Sequence, residues 1–153
     1  MQAALAAPEA AGGGLLRFWG FEIYNASLWV QQGFRHNDFA SHPFALELGY
    51  LRSFTAREIA ERSLQEMARL APIAPEQAEQ WQRALAASFP DVKRGDRITG
   101  MHRPGEGVRF FTNGKLTGEI RDAGFARLFF GIWLSPATRE PVLRQSLLGK
   151  TEP

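Results

Sequence analysis

Cysteine is absent from this 153-residue chain. That excludes disulfides, thiolate catalysis and cysteine-ligated metals. No stretch offers about eighteen consecutive apolar residues, so no transmembrane helix is expected. No block of five or six like charges occurs and the formal net charge is only +2. The basic footprint of a nucleic-acid binder is therefore missing. Also missing are a nucleophile elbow, a P-loop, a dinucleotide glycine signature and zinc-ligand spacing, and no metal site is expected.

What the chain has in quantity is aromatic and apolar bulk: 44% hydrophobic and 12% aromatic residues, with twelve Phe. Its length suits one domain that buries most of its apolar surface without staples. Residues 1–14 are Ala/Gly-rich without Lys or Arg and read as a flexible leader, either native or left by a cleaved export signal. A domain over residues 15–149 and a short tail over 150–153 follow.

Leu15 to Val30 is rich in aromatic and β-branched residues around Gly20, and reads as one bulged strand or as two strands. Gln31 to Pro43 reads as a loop. Phe44, Leu46, Leu48 and Tyr50 alternate with Ala45, Glu47, Gly49 and Leu51, the period of a half-buried strand. Thr55 and Glu58 form a capping box. Behind it Ala56, Ile59, Ala60, Ser63, Leu64, Met67 and Ala68 share one helical face. Pro75 opens a second helix reaching about Phe89. Arg97–Arg103 is a strand, and Asn113-Gly114 joins two more, Val108–Thr112 and Lys115–Ile120, as a hairpin. Asp122 caps a third helix that is apolar all round and therefore buried. Pro141 starts a fourth, which stops at Gly149. A hairpin with segregated helices gives an α+β fold with an antiparallel sheet.

Arg17 lies among Leu15, Leu16, Phe18 and Trp19. A charged group there either points to solvent, pairs with an acid such as Glu22, or presents a guanidinium fork to a ligand carboxylate. Tyr24 adds a hydroxyl to the same site if a bulge at Gly20 corrects the odd spacing, which otherwise puts the two on opposite faces. His36 and His42 share a loop and read as solvated. Trp29, Phe111, Phe129 and Trp133 read either as core or as the lining of a pocket between sheet and helices.

Several ordered segments carry a resemblance: residues 16–26 (LRFWGFEIYNA), 44–50 (FALELGY) with the capped helix behind it, 89–96 (FPDVKRGD), 110–114 (FFTNG), and 125–134 (FARLFFGIWL) with Leu147-Leu148-Gly149. Together they resemble the bacterial chalcone-isomerase-like family over about residues 15–149. The resemblance implies an antiparallel sheet backed by a helical layer with a cleft between. It also implies a small apolar ligand, such as a fatty acid, whose carboxylate is held by Arg17. Isomerases of the superfamily carry a Tyr-x-x-Lys-x-x-x-Asn set on the first helix; the matching positions here are Thr55, Glu58 and Arg62, so none of the set is retained. A reaction that relies on those donors for an anionic transition state loses most of its help. The expectation is thus a non-catalytic binder with no cofactor. An isomerase or lyase using Arg17 and Tyr24 on an enone or phenolic substrate is the alternative. Haem binding through His36, His42 or His102, known from fungal relatives in the wider superfamily, is the second. Family members of this type are often exported, and a periplasmic location is expected, with a cytoplasmic one as the alternative.

Overall fold

The Leu15–Val30 segment folds as two strands joined by a turn at Trp19-Gly20. Both turn residues have positive φ, 53° and 79°, as a two-residue type I′ hairpin turn requires. The computed structural model describes residue 5 and residues 7–153. The elements in chain order are β1 (Glu9–Phe18), β2 (Phe21–Val30), β3 (Phe44–Tyr50), α1 (Ala56–Leu70), α2 (Pro75–Ser88), β4 (Arg97–Arg103), β5 (Gly107–Thr112), β6 (Lys115–Ile120), α3 (Ala123–Leu134) and α4 (Pro141–Leu148). A short 3₁₀ stretch, His36–Ser41, lies in the β2–β3 loop.

The six strands form one antiparallel sheet in sequence order, and the helices cover one of its faces. Alternation sorts the side chains. Tyr24, Ala26, Leu28, Phe44, Leu46, Leu48, Tyr50, Ile98 and Phe110 belong to the main core with the helices. Trp29, Ala45, Met101 and Phe111 form a second apolar layer on the other face, joined there by Leu5.

The helix signals act as read. Thr55 Oγ1 accepts from Glu58 N at 3.1 Å, and the Glu58 carboxylate accepts from Thr55 N at 2.8 Å. Asp122 caps α3 by accepting from Phe125 N at 3.0 Å, and its other oxygen accepts from Trp81 Nε1 at 3.2 Å. Helix α3 is buried along Phe125, Ala126, Phe129, Phe130, Trp133 and Leu134. Its rings stack on one another (Phe125–Phe129, 5.5 Å) and meet the sheet edge-on (Phe44–Phe130, 4.7 Å; Phe110–Phe129, 5.3 Å). Each such pair contributes about 0.5–1.5 kcal/mol beyond area burial.

The expected flexible leader is corrected in part. The leader of residues 1–14 falls partly outside the described residues (1–4 and 6), but from Glu9 onward it is strand β1, and Leu5 is buried. The glycine run is there for close approach rather than flexibility. A Cβ at Gly12 would meet the carbonyls of Ser146 and Leu147, and one at Gly14 would meet Leu143 Cδ1 at 2.8 Å. Glycine thus lets α4 lie against β1. The tail is also held: His36 N donates to Glu152 O at 3.0 Å and Asn37 N to Pro153 O at 3.1 Å. No described helix is long and apolar enough to cross a membrane.

Candidate functional site

A cleft of about 320 Å³ opens between the core face of β1–β4, helix α1 and helix α3. That volume lies within the range of about 300–1,000 Å³ typical of small-molecule pockets. The sheet contributes Leu16, Phe18, Ile23, Tyr24, Leu48, Tyr50 and Ile98; α1 contributes Glu58, Ile59, Arg62, Ser63 and Glu66; α3 contributes Phe129, Ile132 and Trp133; Phe54 and Phe89 add to the walls, and Arg139 and Glu140 close one side. The walls are apolar because they are largely the inward alternate positions of the strands and the inward stripes of the helices; Ile23, skipped in the register between Leu16↔Tyr24 and Arg17↔Glu22, joins its neighbour Tyr24 there.

Two phenols sit inside. Tyr24 and Tyr50 are cross-strand partners on β2 and β3, with rings edge to face at 5.6 Å. Trp133 Nε1 donates to Tyr24 Oη at 2.9 Å. Because the phenol oxygen accepts this bond, its own proton is left for another acceptor. Burial pushes both phenols well above the usual phenol range, so they are neutral donors at any ordinary pH. For Tyr24 this burial outweighs the opposing effect of the indole hydrogen bond.

The polar side of the cleft is a knot of charges. The Glu66 side chain is only 12% exposed and faces three guanidinium groups: Arg139 at 3.3 Å, Arg62 at 3.6 Å and Arg69 at 3.8 Å. Neighbouring Glu140 is raised above the ordinary carboxylate value, first by burial and then by Glu66, with Arg62 and Arg139 opposing. Arg62 is half-exposed, and its guanidinium lies 4.8 Å from the centre of the Phe18 ring.

Of the residues expected to bind, Tyr24, Phe129 and Trp133 meet in this cleft. Arg17, Trp29 and Phe111 do not. Arg17 is the outward alternate between Leu16 and Phe18; it is paired across the strands with Glu22, and its side chain, 62% exposed, reaches the Glu22 carboxylate at 3.4 Å. A register irregularity does occur, between Leu16 and Arg17, but Gly20 makes a turn, not the bulge that would have turned Arg17 inward. Trp29 and Phe111 lie on the far face of the sheet, one residue out of phase with Leu28 and Phe110. Alternation alone thus sets all three apart.

Among the cleft residues that lay beyond the expectation are the polar Tyr50, Arg62 and Glu66. Tyr50 had a usable signal, since it shares the period of Phe44, Leu46 and Leu48. Arg62 had a weaker one. It lies three residues after inward Ile59, on the flank of the apolar stripe, where a long side chain can reach into a cleft. None of the histidines lines the cleft. His102 is buried, its Nδ1 donating to the His42 carbonyl at 2.7 Å, and burial lowers its pKa. His36 Nδ1 bonds the Thr151 hydroxyl at 2.9 Å. Among the described residues no group of acids and histidines is arranged to hold a metal ion.

Comparison with known proteins matches residues 10–149 to a family profile described as chalcone isomerase-like. An uncharacterized protein of Haemophilus influenzae is 28% identical over 136 residues, which is 88% of this chain; the chain spans 65% of that relative's length. A fatty-acid binding protein of Arabidopsis thaliana superposes with a TM-score of 0.70 at 11% identity, over 93% of this chain and 87% of the other. At that identity the match shows the fold.

Proposed function

The chain belongs to the chalcone isomerase-like family, and from that premise we propose that it binds a small apolar ligand with an acidic head group, such as a fatty acid, and does not transform it. The observation that carries this reading is the composition of the cleft: hydrocarbon walls with two neutral phenols, ending on one side at a charge cluster of Glu58, Glu66, Glu140, Arg139 and the half-exposed Arg62. The acyl chain lies among Leu48, Ile59, Ile98, Phe129 and Ile132. The head group accepts from the Tyr24 hydroxyl and pairs with Arg62. Arg62 takes the role that the resemblance assigned to Arg17. A guanidinium fork suits a carboxylate, and Arg62 is available because Glu66 has two other cations, Arg69 and Arg139.

The absence of catalysis in this reading draws support from α1. Thr55 and Glu58, at the positions matched to the Tyr and Lys of isomerases, cap the helix.

The test is equilibrium binding of a fluorescent long-chain fatty acid and of its methyl ester. The parent binds the acid, Arg62→Ala binds it about tenfold more weakly, a loss of about 1.4 kcal/mol, and both bind the ester alike. Equal loss for acid and ester would remove Arg62 from head-group recognition. Undiminished binding by Arg62→Ala together with a loss in Arg17→Ala would restore the original assignment.

A further inference from the structure

At one end of the sheet lie the β1–β2 turn, the end of β3, the start of β4 and the β5–β6 turn, as the register Phe18↔Phe21, Tyr24↔Tyr50, Gly49↔Arg97, Ile98↔Thr112 and Thr112↔Lys115 requires. The described residues include five exposed large hydrophobic side chains: Phe18, Trp19, Phe21, Leu116 and Val142. All but Val142 are at this end. Trp19 is 84% exposed at the very tip of its hairpin, its ring edge-on to Phe18 at 6.0 Å.

The same end is basic. Arg17, Arg52, Lys93, Arg94, Arg97 and Lys115 are all exposed there. The acids among them are fewer and engaged: Glu22 with Arg17, Asp96 with Lys93 and Asn113, and Asp91 with the first turn of α1 through Ala56 N. Arg52 lies 4.3 Å from the centre of the Phe21 ring, so cations and aromatics are interleaved rather than segregated.

We propose that this end of the sheet docks on an anionic lipid bilayer, with Trp19, Phe18 and Phe21 inserted at the headgroup level and the surrounding Arg and Lys held by lipid phosphates. Amphipathic aromatic side chains favour that interface. Basic groups add attraction to anionic lipid that falls off within a Debye length. The charge pattern decides against a second copy of this chain, because a two-fold contact through this face would set its cations against one another. Docking has a consequence for the cleft: Phe18 belongs both to the tip and to the cleft wall, with Arg62 over it. A ligand leaving past Phe18 passes directly into the bilayer. That consequence rests on the proposed function, whereas docking itself does not.

The experiment is flotation of the ligand-free full chain with phosphatidylcholine vesicles, with and without phosphatidylglycerol. The parent floats only with phosphatidylglycerol present, and added salt releases it. Trp19→Ala, whose side chain makes little of the core, keeps its circular dichroism and thermal midpoint but partitions about tenfold less. The Arg97→Gln/Lys115→Gln double variant, at two exposed positions of the same end, does the same. A parent that never floats with anionic vesicles overturns the proposal, as does a Trp19→Ala variant that floats as well as the parent. Self-association that Trp19→Ala abolishes, without vesicle binding, makes the face a self-interface and overturns it too. Fatty-acid affinity measured in solution without vesicles reads the proposed function separately.

Discussion

Replacing Tyr24 by Phe removes one oxygen and nothing else from the cleft. The structure sets the cost. Trp133 is 6% exposed, and its indole N–H bonds only the Tyr24 hydroxyl at 2.9 Å. Losing the net worth of that bond costs about 1 kcal/mol, and stranding the buried donor raises the total to about 1–3 kcal/mol. With a urea slope of about 1–3 kcal/mol/M, the midpoint of unfolding falls by roughly 1 M. Trp133→Phe loses the same bond together with the packing of the larger ring. The double variant separates the two: with both partners gone no donor is stranded, so a double-mutant cycle yields a coupling of about 1 kcal/mol or more in favour of the pair. Urea melts of the four proteins by circular dichroism supply the values. A Tyr24→Phe midpoint equal to the parent's, with coupling below about 0.3 kcal/mol, would refute the reasoning. It would mean that water entering the cleft satisfies the indole.

The chain has only two tyrosines, and both phenols are held neutral by burial. Their contribution to stability is complete below the ordinary phenol value of about 10 and is lost as pH rises above it; ultraviolet titration should show no phenolate until the fold itself melts. His102 runs the other way. Burial depresses its pKa in the folded state, so its contribution is present above the ordinary value of about 6.5 and declines as pH falls below it. His102→Gln should flatten the acid limb of a stability-against-pH curve. Gly12→Ala drives a Cβ into the Ser146 and Leu147 backbone and should cost about 1–3 kcal/mol by overpacking, where a flexible leader would show no change in thermal midpoint. Asp122→Ala removes the α3 cap and the Trp81 partner together; about 1–2 kcal/mol is expected for the cap, with more for the stranded indole, read from chemical denaturation.

Most of the fold was legible in the sequence because its signals are local. The capping box at Thr55, the Asn113-Gly114 turn, Pro75 and Pro141 each act within a few residues, and each begins or turns an element where expected. The Gly12-Gly13-Gly14 run misled because its reason lies in α4, some 130 residues downstream: the same glycines that suggest flexibility permit a close backbone approach. Site residues split along the same line. Tyr24, Phe129 and Trp133 were reachable from apolar context, and the phase of each strand set apart Trp29 and Phe111. Arg17 stayed open between solvent, Glu22 and a ligand because a Trp-Gly type I′ turn is a less familiar signal than Asn-Gly; once the turn is granted, Arg17 faces Glu22 across it. Arg62 and Glu66 sit on a helix flank that periodicity assigns to solvent, and only the tertiary placement of α1 against α3, across the cleft from β1, brings them to the site.

The four tryptophans happen to sample distinct surroundings: Trp133 in the cleft, Trp19 on the exposed tip, Trp29 on the far face of the sheet, and Trp81 on α2 against Asp122. A titration with dodecanoate followed by the indole N–H resonances therefore locates the ligand in one experiment. Occupancy of the cleft by the acid should shift the Trp133 resonance progressively to saturation while those of Trp29 and Trp81 stay fixed. A Trp133 resonance that does not move as dodecanoate rises, or a shift confined to Trp29, would contradict binding between the sheet and α3.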